Sequence, residues 1–479
     1  MDQSEYFQSM QESKVNRHLI APFSKSQVKV WLILFVLINL CMEQRGGTNP
    51  LSRFAALCGM VEDHSFRIDP YQSLTVDWAK GPDGHYYSNK APGPVLLAYP
   101  LFWLLDQITT AWKEPRTERD ATRLKLSFQI LRWLSILLQV LPFVILVAYA
   151  IQWLEGLGVP FWGLQFVAIA MLFGNTASLF MNTYFGHGLT AVLLLGSLFT
   201  YLKEKFFWTG FLFGFSVLSD YGVALLGIPL LFLFSRKTDS ILNKSPWTIK
   251  IRWLELIGGG IAPALLFFFY HTLCFGGPFT LPYRFQNPEF VQRGSYSLWG
   301  VISLPKMSIL WNLVFGLERG ILWTQPWVFV IVLTSLLPKP KSEIDRKITF
   351  PLSMFSLAGG ALLLIFNASF GGWHGGSTPG PRYLSSVFPI LALLGGVQYS
   401  RMRSSLKTLA WLSLSSSLFL FLFVFASTSV TPPLQPLWDY YLKAISHANG
   451  TFWLRSILLI AVFFYAMRLI KSRAPFKSR

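Results

Sequence analysis

The chain has 479 residues, 52% hydrophobic and only 13% charged, with a mean hydropathy of +0.44 and a formal net charge of +18. Soluble domains carry about 25% charged residues, so this balance excludes an ordinary soluble protein. It also excludes a nucleic-acid-binding role, because no soluble basic domain carries the positive charge, which falls in short loops and tails as the positive-inside rule requires.

Apolar runs of about 20 residues recur from end to end, the pattern of transmembrane helices. They are continuous and not alternating, and a lipid-exposed backbone must satisfy its own hydrogen bonds. The expectation is an all-α polytopic membrane protein of about 12 transmembrane helices (11–13), forming one domain over 1–479 with no soluble terminal domain. Residues 1–26 are polar, and the run Val28–Met42 is followed by Glu-Gln-Arg instead of a small-residue cleavage site, which predicts a retained first helix.

Further spans are expected near 128–152, 160–181, 187–202, 206–219, 221–235, 253–275, 321–338, 348–367, 385–400, 408–427 and 452–468. Segment 92–108 is apolar but short, rich in proline and ends near Asp106. It is expected to lie at the interface, because the basic clusters Arg236–Arg252, Lys339–Lys347, Arg401–Lys407 and Arg468–Arg479 then share the cytoplasmic side with both termini. The opposite face receives a long first loop (44–127) with interfacial helices, then 182–186, 276–320, 368–384 and 428–451. Cys41, Cys58 and Cys274 show no metal spacing and no disulfide framework.

Polar motifs gather in these outer loops. In 49–69, Leu51, Phe54, Leu57 and Val61 recur at helical spacing, as in an amphipathic helix on the membrane surface. Asp69, Asp77 and Asp83 follow, then Gly84-His85-Tyr86-Tyr87-Ser88-Asn89-Lys90 before a Pro-Gly-Pro turn. Lys90 there suits a phosphate oxygen or a lipid headgroup equally. His187, in NTYFGHG, opens a helix, where an imidazole serves as a cap, an anion ligand or a proton relay. Asp220, between two short runs, is read as a solvated acid or a helix cap. In 371–384, Trp373, His374, Arg382 and Tyr383 stand among glycines. Arginine there binds phosphate bidentately or anchors the interface.

Together these motifs resemble the GT-C superfamily of membrane glycosyltransferases, which use polyprenyl-phosphate-linked sugars. The first loop is similar to that of aminoarabinose and protein-mannosyl transferases: Arg53 matches an interfacial-helix arginine and Lys90-Ala91-Pro92-Gly93 a Lys-Pro-Pro-Leu-type turn. A bacterial subgroup with Gly-His-Tyr-Tyr-Ser-x-Lys-Ala-Pro-Gly, Phe-Gly-His, and Trp-x-Gly-Gly with Gly-Pro-Arg-Tyr-Leu matches in order over 49–384. Two departures stand out. The acid expected just before the helix arginine is replaced by Pro50 and Leu51, and NTYFGHG lacks the Asp-x-Asp carboxylates of metal-dependent relatives.

The resemblance implies an inverting transferase of the cell envelope in a bacterial inner membrane, acting on the extracytoplasmic side. Its partners would be a polyprenyl-phosphate-linked sugar, membrane lipid and a glycan, lipid or protein acceptor, with no cofactor and no metal ligands assigned. Asp77 is the expected general base, with Asp69 and Glu43 as alternatives. Arg53, His85, Tyr87, Lys90, His187, Trp373, His374, Arg382 and Tyr383 are the expected substrate-binding residues. The competing expectation is a transporter or flippase of a lipid-linked glycan, which needs polar groups inside the spans. Those noted are few: Asn175, Ser216 and Ser413 to Ser416.

Overall fold

A computed structural model describes residues 28–42, 47–110, 115–239, 246–290, 301–337, 345–376, 378, 380–427 and 436–472. Glu43, both chain termini and parts of the 276–320, 339–347 and 428–451 loops lie outside the described residues. The chain is an all-α polytopic membrane protein. Among the described residues, five helices are long and apolar enough to cross a bilayer: Arg116–Gly156, Lys250–Phe275, Lys347–Ser369, Ser404–Ser427 and Gly450–Ile470. Shorter apolar helices, including Lys29–Cys41, Gly186–Leu202 and Phe206–Ser219, stand among them.

The expected span 160–181 is interrupted. Its helix runs only Phe161–Leu172, about 18 Å at 1.5 Å per residue. The chain breaks, Asn175 caps the single turn Thr176–Leu179 by accepting from the Ser178 amide, and a new helix starts at Gly186. Irregular backbone at this depth survives only when enclosed by protein, and residues 163–199 are all buried. The Trp327 indole supplies one missing partner, donating to the Gly174 carbonyl at 2.6 Å. Two other spans begin as 3-10 turns, Tyr221–Leu226 and Arg382–Val387, before becoming α-helical.

The first loop is an ordered platform. Helix Thr48–Glu62 carries Arg53, and Gly93–Thr110 forms from the ambiguous apolar segment. The latter is not among the five long, apolar helices. Helix Arg116–Gly156 begins inside the expected loop and continues through one π-turn at Ile136–Val140. No charged residue lies between Arg132 and Glu155, so about 33 Å of this helix suits the hydrocarbon and about 25 Å projects beyond it.

The three platform helices meet at one ion cluster. Arg123, 1% exposed, pairs bidentately with Asp106 at 2.6 and 2.7 Å and reaches Glu62 at 2.6 Å and Asp120 at 3.0 Å. Asp106, which looked out of place in an apolar run, is the buried end of this pair. Arg119 adds a contact to Glu62, and the Tyr71 hydroxyl donates to Asp120.

Between the first two platform helices a small hairpin forms, which the sequence reading did not resolve. Trp78–Lys80 pairs antiparallel with Tyr86–Ser88 across the turn Gly81–His85. Its register sets Asp77, just before the first strand, against Asn89 and Lys90, just after the second. Ser52 ties the hairpin to its helix, donating to the Asp77 carbonyl at 2.6 Å, and Thr75 donates to the Thr48 carbonyl.

Candidate active site

A cavity of about 680 Å³ opens where the platform, the start of helix Gly186–Leu202, the end of helix Phe206–Ser219 and the 368–384 loop converge. Its lining includes Arg53, Asp77, Lys90, His187, His374, Arg382 and Tyr383. Seven expected site residues, drawn from positions up to about 330 apart in sequence, thus share one chamber.

Asp77 is buried and both its oxygens are engaged. Oδ1 accepts from Lys90 Nζ at 2.8 Å and Oδ2 from the Thr48 hydroxyl at 2.9 Å. Burial alone would raise its pKa, but the Lys90 charge and hydrogen bond, with Thr48, outweigh burial and hold the carboxyl below its ordinary range. Burial acts on Lys90 in the opposite sense, lowering its pKa against the pull of Asp77 and with the repulsion of Arg382 and Arg53.

Two further cations lack a carboxylate partner within ion-pair distance among the described residues. Among the described residues, Arg53 donates only to the Asn49 side chain and carbonyl, and its Nε has no partner. Burial lowers its pKa to about 10. Arg382 donates from Nη2 to the Tyr383 hydroxyl at 3.0 Å, and its Nε is likewise unpartnered. Gly375, at φ +65°, lets the loop backbone run beside this side chain, since a Cβ there would stand 2.9 Å from Arg382 Cδ. Buried guanidinium N–H groups without acceptors are costly, so the chamber suits an anion.

Aromatic rings line the rest. Tyr283, Phe370 and Tyr383 form an edge-to-face row, with centroids 5.8 and 5.4 Å apart. Tyr383 also stands edge-on to His187 at 5.6 Å. Such faces accept the apolar side of a sugar ring.

The remaining expected residues lie outside the lining. Asp69 accepts from the Tyr86 amide and from His85 Nδ1 at 3.3 Å, on the exposed side of the hairpin. Tyr87 points the other way, its hydroxyl donating to Asp83 at 2.7 Å. These residues build the hairpin that presents Asp77 and Lys90. Trp373 packs beside Arg319, whose guanidinium lies 5.9 Å from its ring and donates to the Gly376 carbonyl. His374 lines the chamber, and burial beside Arg319 and Arg382 lowers its pKa.

Sequence reasoning missed Asp220 as a site residue, together with Tyr221, Tyr283, Glu289 and Phe370. The two roles open for Asp220 are partly realised: Oδ1 accepts from the Gly222 amide as a cap. But Oδ2 lies 2.9 Å from His187 Nδ1. The available signal was their position at the ends of two neighbouring short helices, the start of Gly186–Leu202 and the end of Phe206–Ser219. Tyr283 and Glu289 sit in a loop whose sequence carries no motif.

Of the polar residues noted for a transport path, Asn175, Ser216, Ser413 and Ser415 are turned onto their own backbones. Asn175 donates to the Ala170 and Met171 carbonyls, Ser216 to Phe213 and Ser415 to Trp411.

No family model matches the sequence, and no curated protein matches it. Among solved structures, the chain is similar to the crystal structure of ArnT from Cupriavidus metallidurans bound to undecaprenyl phosphate, at 14% sequence identity and a TM-score of 0.54. The match covers 93% of this chain and 73% of that one. At this identity the likeness is one of fold: the chain has the all-α polytopic membrane architecture of ArnT.

Proposed function

We propose that this protein is a membrane glycosyltransferase that moves a sugar from a polyprenyl-phosphate donor to an acceptor hydroxyl at the outer membrane face. One observation carries the reading: Arg53, Lys90 and Arg382 converge on a single chamber, with guanidinium N–H groups awaiting an acceptor. The shared fold with a protein that binds undecaprenyl phosphate supports it, as do the three matched motifs.

In this reading the lipid phosphate enters among the three cations and draws Lys90 toward itself, which releases Asp77. The freed carboxylate then takes the proton of the acceptor hydroxyl as the hydroxyl oxygen bonds to the anomeric carbon. The bond from that carbon to the phosphate oxygen breaks with inversion, and charge growing on the phosphate meets Arg382, Arg53 and Lys90. The row Tyr283, Phe370 and Tyr383 receives the sugar. A membrane scaffold is needed because the polyprenyl tail dissolves only in lipid.

The test is turnover of a panel of undecaprenyl-phosphate-linked sugars by protein in nanodiscs, read as release of undecaprenyl phosphate. Asp77→Asn keeps the size of the side chain but removes its basicity, so the rate should fall about 10²- to 10⁴-fold with donor binding largely retained. Near-normal turnover would remove the base role from Asp77. Translocation of the intact glycan lipid without cleavage would favour the transporter.

A further inference from the structure

His187 is the first side chain of its helix to face the chamber, and it is held from behind. Its Nδ1 lies 2.9 Å from Asp220 Oδ2, and the other Asp220 oxygen accepts from the Gly222 amide at 3.3 Å. A carboxylate only accepts, so Nδ1 carries the hydrogen and Nε2 is the nitrogen free to gain or lose a proton. Nε2 has no hydrogen-bond partner among the described residues, and His187 lines the cavity.

The surroundings place this ring on the phosphate side. A Cβ at the preceding Gly186 would lie 3.0 Å from Arg53 Nη2, and the Tyr383 ring, beside Arg382, is 5.6 Å away. The charged and titratable groups facing His187 are Asp220 at the end of helix Phe206–Ser219, Arg53 on the platform, and Arg382 with Tyr383 on the outer loop. The Asp77–Lys90 pair and His374 also line the chamber.

The geometry points to His187 as the proton donor to the departing phosphate, with Asp220 as the residue that positions it. This rests on the lipid-phosphate reading above and extends it. When the anomeric carbon–oxygen bond breaks, its electron pair stays on the phosphate oxygen, and His187 Nε2 delivers a proton to that oxygen. The acceptor's own proton goes to Asp77. Water later takes the proton from Asp77 and returns one to His187, so the reaction is balanced and yields a hydrogen-phosphate lipid. Asp220 offsets the positive charge the ring carries before transfer, as in other His–carboxylate couples.

This role predicts discrimination between a phosphate monoester, which has the newly exposed oxygen, and a diester, which does not. The experiment measures binding of undecaprenyl phosphate and of its methyl phosphodiester to the protein in nanodiscs, between about pH 6 and 9. The native protein should favour the monoester on the order of ten- to a hundredfold near neutral pH, the range of a charge-assisted hydrogen bond. A free imidazole titrates near about 6.5 and a phosphate monoester near about 6. Above both values neither holds the shared proton, so binding must take one up, and monoester affinity should fall by up to about tenfold per pH unit.

His187→Gln should lose the slope and weaken the preference, the remainder reflecting Arg53, Lys90 and Arg382 acting on the more highly charged monoester, while diester affinity reports an intact cradle. Asp220→Asn should weaken both effects. If the slope survives in His187→Gln, the proton role is overturned and the phosphate cradle stands. If neither lipid binds the native protein, the phosphate reading and this inference fall together.

Discussion

Arg382 and Lys90 are both cations at the chamber, yet the structure sets them different tasks. Lys90 is a point charge shared with Asp77, whereas Arg382 offers a planar fork beside a positive-φ glycine with one N–H unused. Arg382→Lys keeps the charge and loses the fork, so turnover should fall about tenfold, and Arg382→Ala by about 10² to 10³. The deficit should sit in the chemical step, because charge on the phosphate grows there. Full activity in the lysine variant would leave Arg382 as a mere interfacial anchor. At this scale the sequence was informative wherever a residue type was unusual for its setting: a lysine before Pro-Gly, an arginine after Gly-Pro, a histidine at a helix start. It was silent on pairing. That Asp77 meets Lys90 depends on hairpin register, and that His187 meets Asp220 depends on two helix ends, 33 residues apart, coming together.

Among the elements, the long apolar runs were legible because hydrophobic length is set by the bilayer. Their interruptions were less so. The break at Phe173–Asn175 falls on Gly174-Asn175-Thr176, a weak stop signal among apolar residues on both sides. The hairpin was hidden for a different reason: its strands are three residues each, too short to show alternation, and only the Gly-Pro-Asp-Gly turn marked it. The platform helices are linked through a buried, paired ion cluster. Arg123→Met would strand Asp106 in an apolar setting, and losing one partner of a buried ion pair costs about 3–5 kcal/mol. The expected result is a lowered melting temperature together with reduced turnover, since Glu62 and Asp106 stand on the helices that carry Arg53 and follow Lys90. The double variant Arg123→Met with Asp106→Leu should recover much of the stability. A melt unchanged in Arg123→Met would mean that packing alone fixes these helices.

At the scale of the whole molecule, under the proposed function, helix Arg116–Gly156 sets the height of the chamber above the bilayer midplane. One end is committed to hydrocarbon and the other to the ion cluster, and no loop lies between them to absorb a mismatch. The chamber therefore rides at a fixed altitude, while the phosphate of a lipid floats with the headgroups. In bilayers much thinner or thicker than about 30 Å the two heights part, and correcting them by tilt or by bilayer deformation costs a fraction of a kcal/mol per Å. Turnover measured across vesicles of increasing acyl-chain length should pass through a maximum, with apparent donor affinity changing more than maximal rate. A flat profile would mean that the platform hinges on the rod. If the maximum is found, membrane thickness is a dial on this protein: the rod that carries the platform also measures the lipid in which it stands.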